Sequence, residues 1–240
     1  MKPSFPRLLA PEILDELRED DPRAIRSRQD LGRINYVMGA AGILARALTA
    51  DAVAPKRIIE FGAGDGSLML RLAKQLAPRW PGVHIVLLDR QHCITQHTRD
   101  AFARAGWTLQ VRQADVADWA SGAAGDQFDQ FDQFDIALAN LFIHHFNDDQ
   151  IIRLFNAISV RTDRFVACEP RRAQLPLFAS RLVGLLGANA VTRSDAVASV
   201  KAGFHGTELS SLWPANPSWR LTEGRAGLFS HVFTASRCRS

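Results

Sequence analysis

The stretch "RIIEFGAGDGS", residues 57–67, joins a short apolar run to a turn with three glycines and places an acidic residue just before that turn. The apolar run predicts a buried strand, and "LMLRLAKQLA" directly after the turn predicts a helix. Glycines in such a turn can adopt positive φ and let a ligand approach the backbone, while the first N–H groups of the helix lack partners within it. The stretch therefore predicts a ligand site between a strand and a helix.

Strands and helices keep alternating after this point. The predicted strands are 84–89, 107–115, 134–140 and 163–170, and the predicted helices are 65–77, 92–106 and 148–160. Alternation of this kind is typical of an α/β fold with a parallel sheet covered by helices on both faces. The segment "WRLTEGRAGLFSHVFTAS" near the end predicts two further strands, joined as a hairpin at "EGRAG".

The composition is that of a globular protein. The chain has 240 residues, 29 basic and 25 acidic, for a net charge of +4, and its arginines are scattered, so a nucleic-acid partner is not indicated. Its three cysteines form no C-x-x-C pair, which argues against a zinc knuckle or a disulfide framework. No apolar signal segment is present at the start, and the run 182–191 is too short to span a bilayer. We expect a cytoplasmic protein without a membrane span.

Acidic residues stand at three strand ends. Asp89 ends the second predicted strand, where a carboxylate can accept hydrogen bonds from ribose hydroxyls. Asp115 ends the third, where it can receive the exocyclic amine of an adenine, with Val116 supplying a backbone N–H. Glu60 precedes the glycine turn, where its charge would repel a pyrophosphate and attract a cationic amine or sulfonium. Because Ser67 also breaks the G-x-G-x-x-G fingerprint, a nicotinamide-linked oxidoreductase is the least favoured alternative.

In order and spacing, "IIEFGAGDGS", "VLLD", "QADV" and "FDIALANLFIHHF" resemble the motifs of class I S-adenosylmethionine-dependent methyltransferases. The resemblance covers residues 56–170 and the final hairpin. It implies a Rossmann-like, seven-stranded, mostly parallel sheet, with helices on both faces and a C-terminal antiparallel hairpin strand. It also implies S-adenosylmethionine as the cofactor. Enzymes of this fold that methylate DNA bases or protein amides carry N-P-P-[YF] where this chain has "NLFI", so methylation of a base amine is disfavoured.

The same resemblance implies roles for individual residues. Glu60 and the glycine turn would hold the methionine part, Asp89 the ribose, and Asp115 with Val116 the adenine, while Asn140 would lie beside the methionine and sulfonium. The complete predicted cofactor site is Glu60, Gly62, Ala63, Gly64, Asp89, Arg90, Asp115, Val116, Asn140 and Leu141.

His144 and His145 follow the fourth strand, at the edge of the sheet that would face a ligand. Adjacent side chains point in different directions, so chelation of one metal ion by both is not expected, and no metal is predicted. One of them could instead pack against, or cap, the following helix, for which Asn147 is the predicted N-cap. Methyltransferases of ubiquinone and menaquinone biosynthesis, to which this region is similar, often carry a similar "HH". We therefore name His144 and His145 as the candidate catalytic base, since O-methylation needs a deprotonated acceptor.

The resemblance also divides the chain. Residues 1–50 are predicted to be an N-terminal helical lid and residues 51–240 the methyltransferase domain, in which a helical insertion at 171–212 lines the acceptor pocket. Candidate substrate contacts are Asn35, Tyr36 and Arg171. The sequence "EPRR", which includes Arg171, also fits a surface ion pair of Glu169 with an arginine.

The function predicted is methyl transfer to a small, fairly apolar acceptor, most simply an oxygen of a phenolic, enolic or polyketide-like compound. The alternatives are an RNA-modifying methyltransferase, which the mild basic excess favours and the absence of a basic block disfavours, and a non-catalytic partner protein that has kept the fold. The sequence carries no signal for an oligomeric state.

The repeat "DQFDQFDQFD", residues 126–135, has a period of three, which fits neither a strand nor a helix. We interpret it as an extended surface loop that copies the "QFD" at the start of the fourth strand. An acidic cation site is the alternative, but the repeat lacks the glycine and the closing glutamate of a calcium loop.

Overall fold

The computed structural model describes residues 5–50, 53–123 and 133–238. These residues contain one seven-stranded sheet in the order β3-β2-β1-β4-β5-β7-β6. The strands are β1 (Arg57–Phe61), β2 (His84–Asp89), β3 (Thr108–Gln113), β4 (Phe134–Asn140), β5 (Thr162–Pro170), β6 (Trp219–Ala226) and β7 (Ser230–Arg237). All pairings are parallel except those of β7, which is antiparallel to both β5 and β6. The predicted fold class is confirmed.

Helices cover both faces of the sheet. They are α1 (Ile13–Glu16), α2 (Pro22–Val37), α3 (Ala40–Leu48), α4 (Ser67–Leu76), α5 (Gln96–Arg104), α6 (Val116–Ser121), α7 (Asp148–Arg161), α8 (Gln174–Ser180), α9 (Ala190–Ala202) and α10 (Glu208–Leu212). Successive strand residues point to opposite faces: Ile58 of β1 belongs to one apolar cluster, while Ile59 and Phe61 belong to the other. Two apolar cores, one on each face, therefore enclose the sheet.

The order of the strands determines where a ligand can bind. The chain passes from β1 to β2 on one side and places β4 on the other side of β1. At such a reversal the connections leave in opposite directions, and a crevice opens at the carboxyl ends of the strands. The glycine turn after β1 and the two histidines after β4 both lie at this crevice.

The N-terminal region only partly follows the pattern of its sequence. In the predicted helical lid, the segment "PEILDELRED" forms only the single turn α1, because tertiary contacts hold it: the Asp195 carboxylate accepts the N–H groups of Ile13 and Leu14 at 2.9 and 3.0 Å. The longer helical stretch breaks at Gly39 (φ +68°), which separates α2 from α3. None of the helices described has the length and apolar character needed to cross a bilayer.

The C-terminal hairpin turns later than "EGRAG" predicts. Glu223 and Arg225 still pair with β7, and the chain reverses between Ala226 and Ser230. The strand continues because the Glu223 carboxylate is bound on several sides, by the N–H groups of Leu209 and Ser210 and by His231 Nε2 at 2.8 Å. The repeat interpreted as a surface loop lies mostly outside the described residues, which resume at 133.

Candidate active site

An open cleft of about 1490 Å³ lies at the carboxyl ends of β1 to β4. Of the residues predicted from the sequence, the structure brings the following to its wall: Gly62, Gly64, Asp89, Arg90, Asp115, Val116, Leu141, His144 and His145. The N-terminal segment closes one side of the cleft with residues 9–12, Leu14 and Asp15.

The glycine turn is fastened to the end of β2. The Gly62 N–H donates to the Leu88 carbonyl at 2.9 Å, and the Gly64 N–H donates to Asp89 Oδ2 at 2.8 Å. Gly62 and Gly64 have φ values of +68° and +55°, which residues with a side chain rarely adopt. A Cβ on Gly62 would stand 2.2 Å from the Phe142 ring, whereas one on Gly64 would meet no atom within 4 Å. The loop after β4 thus packs directly on the backbone of Gly62.

Gly62→Ala is expected to destabilise the protein clearly more than Gly64→Ala. Both variants carry the cost of a left-handed residue, about 1–2 kcal/mol, but only the first must also displace Phe142, at a further cost of about 1–3 kcal/mol. Urea unfolding of the two variants beside the wild type measures the difference. Equal losses of stability would show that the contact with Phe142 is easily relaxed.

Two buried oxygen atoms beside the glycine turn lack hydrogen-bond partners. They are Oε2 of Glu60, on β1, and Oδ1 of Asn140, at the end of the neighbouring β4, and neither has a partner among the described residues. Burial, followed by the charges of Asp89 and Asp65, raises the pKa of Glu60 well above its ordinary value. Unpartnered buried acceptors are costly, so this pair fits a ligand that brings N–H donors or positive charge.

The acids after β2 and β3 are held in fixed orientations. Asp89 accepts the N–H of Gly64 with one oxygen and that of Gln91 with the other, each at 2.8 Å. Asp115 is the N-cap of α6 and accepts the Ala117 N–H at 2.8 Å. Each carboxylate oxygen has two lone pairs, so both side chains keep acceptor capacity for a ligand in the cleft.

Leu141 makes the sharp turn after β4. It is the one non-glycine residue with positive φ, at 51°, in the part of the chain that the structure describes. Its N–H donates to the Cys168 carbonyl at 2.9 Å. Such backbone conformations are costly and persist where the surrounding structure enforces them, often at functional sites. The turn brings the 3₁₀ helix Ile143–His145 to the cleft.

His144 is buried between two carboxylates. Its Nδ1 lies 2.8 Å from Glu169 Oε2, and its Nε2 lies 3.3 Å from Glu12 Oε1. Burial alone would lower the pKa of His144, but the hydrogen bonds to Glu12 and Glu169 outweigh that effect and raise it to about 9. With both nitrogens engaged and the ring charged at neutral pH, His144 does not fit the role of a free base in this arrangement.

His145 lies beside His144 and does not diverge from it. The ring centroids are 4.2 Å apart, because the 3₁₀ helix turns the two side chains toward the same carboxylate. His145 Nδ1 is 3.2 Å from Asp15 Oδ2, and its Nε2 is 4.0 Å from Glu12 Oε2. The expectation that the two adjacent side chains point apart is wrong here. The argument against both histidines binding one metal ion therefore no longer holds.

The structure does not bring the three predicted substrate residues to the cleft. Tyr36 is 70% exposed and stacks under the Arg71 guanidinium at 5.0 Å, while Asn35 on the same helix is absent from the cleft wall. Arg171 donates to the Leu228 carbonyl at 3.2 Å, because the chain after β5 runs toward the hairpin turn.

Three important carboxylates were not among the predicted site residues. Glu12 and Asp15 reach the histidines from the N-terminal segment, and Glu169, interpreted as part of a surface ion pair, is completely buried. Besides His144, Glu169 accepts the N–H groups of Phe142 and Ile143 at 3.1 and 2.9 Å. Its place at the carboxyl end of a buried strand was the signal that could have identified it.

Comparisons with known proteins agree with this geometry. A family model described as a methyltransferase domain matches residues 58–161. The malonyl-[acyl-carrier protein] O-methyltransferase of Geobacter sulfurreducens is 34% identical over 90 residues, which cover 35% of this chain and 32% of that relative. The match therefore spans about a third of the relative's length.

Solved structures match over most of the chain. The plantazolicin methyltransferase BpumL, in complex with a triazolic desmethylPZN analog and SAH, has a TM-score of 0.63 at 11% identity, with 91% of this chain and 92% of that one covered. The magnesium protoporphyrin IX methyltransferase of Synechocystis, with bound SAH, has a TM-score of 0.51 at 14% identity, with 87% and 86% covered. At these identities the likeness concerns the fold. The sequence thus matches a methyltransferase domain over residues 58–161, and the fold resembles that of solved methyltransferases over most of the chain.

Proposed function

We propose that the chain is an S-adenosylmethionine-dependent methyltransferase that acts on an oxygen of a small, fairly apolar acceptor. The observation that carries this proposal is the pair of buried, unpartnered acceptors, Glu60 Oε2 and Asn140 Oδ1, beside the glycine turn. The amino group of a methionine moiety supplies positive charge and N–H donors, which is what these two oxygens lack.

The remaining cleft residues suit the other parts of the cofactor. Asp89 is oriented to accept ribose hydroxyls, with Arg90 beside it, and Asp115 with Val116 lies one strand further along, where an adenine can bind. The backbone of Gly62, Ala63 and Gly64 would face the methionine part, and Leu141 lines the same cleft. When bound, S-adenosylmethionine supplies an electrophilic methyl group on a sulfonium.

The wall beyond this cofactor site suits an apolar acceptor. Its N-terminal side contributes Leu9, Pro11, Leu14 and Leu31, and the loop after β4 contributes Phe142 and Phe146. This lining supports a lid role for the helical segment before residue 51. The insertion after β5 contributes Ser199, whose hydroxyl donates to Glu12.

Methyl transfer requires the acceptor oxygen to lose its proton. With S-adenosylmethionine bound, the oxygen would form the new O–C bond while the C–S bond breaks, and the electron pair of the C–S bond would stay on sulfur. We assign control of that proton to the cluster of Glu12, His144 and His145, whose side chains line the cleft and lie close together. Alignment of the oxygen with the methyl group supplies much of the remaining rate enhancement.

Isothermal titration calorimetry of the full chain with S-adenosylmethionine, S-adenosylhomocysteine and, as a control, NADH tests the proposal. We expect both sulfur ligands to bind and NADH not to bind. Incubation with methyl-labelled cofactor then compares phenolic and enolic acceptors with tRNA. Failure of both sulfur ligands to bind would favour a non-catalytic partner protein, and label found on RNA alone would overturn the small-molecule acceptor.

Glu60→Gln is expected to weaken S-adenosylhomocysteine binding by about tenfold or more, because the cationic amine of the bound ligand loses a carboxylate acceptor. The same substitution should stabilise the ligand-free protein. Since burial raises the pKa of Glu60 in the folded state, this carboxyl costs stability once the pH exceeds its unfolded value, about 4.3. The gain in Tm should therefore appear near about pH 8 and vanish near about pH 4. Glu16→Gln, on the exposed face of α1, is the control; equal binding by Glu60→Gln and wild type would contradict the assignment.

A further inference from the structure

The histidine pair is arranged as a set of ligands around one point. Glu12, His144 and His145 each offer a ligand atom within 4.8 Å of those of the other two. The two Nε2 atoms lie 3.3 and 4.0 Å from oxygens of the same Glu12 carboxylate. A tetrahedral ion with bonds of about 2.0–2.2 Å holds its ligand atoms roughly 3.3–3.5 Å apart. The first distance already fits, and the second requires a shift of well under an ångström.

The other nitrogen of each histidine is held by a carboxylate. Glu169, fully buried, lies 2.8 Å from Nδ1 of His144, and Asp15 lies 3.2 Å from Nδ1 of His145. In the neutral ring that a metal ion requires, a carboxylate on Nδ1 fixes the tautomer in which Nε2 carries the free lone pair, and this is the usual support of a metal-bound histidine. Packing alone would not require the same support for both rings, with both Nε2 atoms directed to a third acid.

We propose that Glu12, His144 and His145 bind a divalent transition-metal ion of the zinc type, with an open coordination position toward the cleft. Two imidazoles and one carboxylate suit zinc and neighbouring metals and do not suit magnesium or calcium, which prefer oxygen. The charges agree as well: with the imidazoles neutral, the three carboxylates of Glu12, Asp15 and Glu169 outnumber the arginines that face them, Arg90 at 3.9 Å from Asp15 and Arg7 near Glu169.

The inference rests on the proposed function for its chemical purpose. All three ligand residues line the cleft in which the acceptor would bind. An ion with three protein ligands and one open position is the arrangement of catalytic zinc sites. An acceptor oxygen filling that position would be favoured in its deprotonated form by the positive charge. The metal would thus take over the role assigned to a histidine base.

The test is metal binding by the full chain, purified without a histidine tag and stripped with a chelator. Titration with Co²⁺ should give the intense visible absorption of a site with few ligands, at about one ion per chain, and Zn²⁺ should abolish it by displacement. Glu12→Gln and His145→Gln should each weaken Co²⁺ binding by at least about 100-fold, because loss of a supporting partner alone costs about 10–100-fold.

Matched controls are available on the same protein. Glu16 lies on α1 near Glu12, and His97 is an exposed histidine of α5. The Glu16→Gln and His97→Gln variants should both bind Co²⁺ like the wild type. Absence of Co²⁺ and Zn²⁺ binding, or binding that survives both ligand substitutions, would overturn the metal site. A parallel titration with S-adenosylhomocysteine separates the two proposals. Cofactor binding without metal binding refutes only the inference, and metal binding without cofactor binding refutes only the proposed function.

Discussion

Asp89→Ala is expected to weaken S-adenosylhomocysteine binding by about 100-fold or more. Two losses combine in this variant. The ribose hydroxyls lose a charged acceptor, worth about 1.5–3 kcal/mol, or roughly 10–150-fold in affinity. The N–H groups of Gly64 and Gln91 also lose their common partner, so the glycine turn is no longer fastened to β2. Calorimetric titration of wild type and variant measures the effect.

Two further substitutions separate these losses. Asp89→Asn keeps one carbonyl oxygen and should show an intermediate affinity, while Asp100→Ala, on the exposed side of α5, should leave binding unchanged. Thermal denaturation without ligand checks that each variant is folded. If Asp89→Ala bound the ligand within about threefold of wild type, less than about 1 kcal/mol, the ribose assignment would be wrong and the carboxylate would serve only to hold the turn.

The local parts of this site could be predicted because short-range physics determines them. An apolar run followed by glycines and a helical pattern is sufficient to place Gly62 and Gly64 after β1. The carboxyl ends of parallel strands meet at one edge, so the sequence alone is enough to group Asp89, Asp115 and Asn140 there. The capping box of α7, from Asn147 to Gln150, is likewise local.

The contacts that complete the cluster are long-range. Glu12 is 132 residues from His144 in sequence, and an acid in a charged segment gives no sign that it is directed inward. The short α1 is determined by Asp195 rather than by its own periodicity. The prediction that Tyr36 contacts the substrate is wrong for the opposite reason. A single tyrosine among apolar neighbours suggests a pocket, but the face of α2 that carries it is directed to solvent. Burial and direction depend on which elements meet, and one sequence does not contain that information.

Glu169→Ala is expected to destabilise the protein by about 3–5 kcal/mol, the usual cost of removing one partner of a buried charged pair. In a chain of this size that corresponds to a fall in Tm of roughly 6–20 °C. The substitution leaves the N–H groups of Phe142 and Ile143 without their acceptor and removes the carboxylate at Nδ1 of His144. Because these groups form the turn that packs on Gly62, cofactor affinity should fall as well.

Asp163→Ala provides a matched comparison on the same strand. Asp163 pairs with Arg237 at 3.3 Å on the exposed side of β5, and exposed pairs contribute at most about 1 kcal/mol. Glu169→Gln keeps the side-chain volume and one acceptor oxygen, so its loss of stability should lie between those of Glu169→Ala and Asp163→Ala. A loss for Glu169→Ala no larger than that for Asp163→Ala, measured by urea unfolding, would mean that water or a shifted backbone replaces the carboxylate. In that case Glu169 would not be the residue that fixes the orientation of His144.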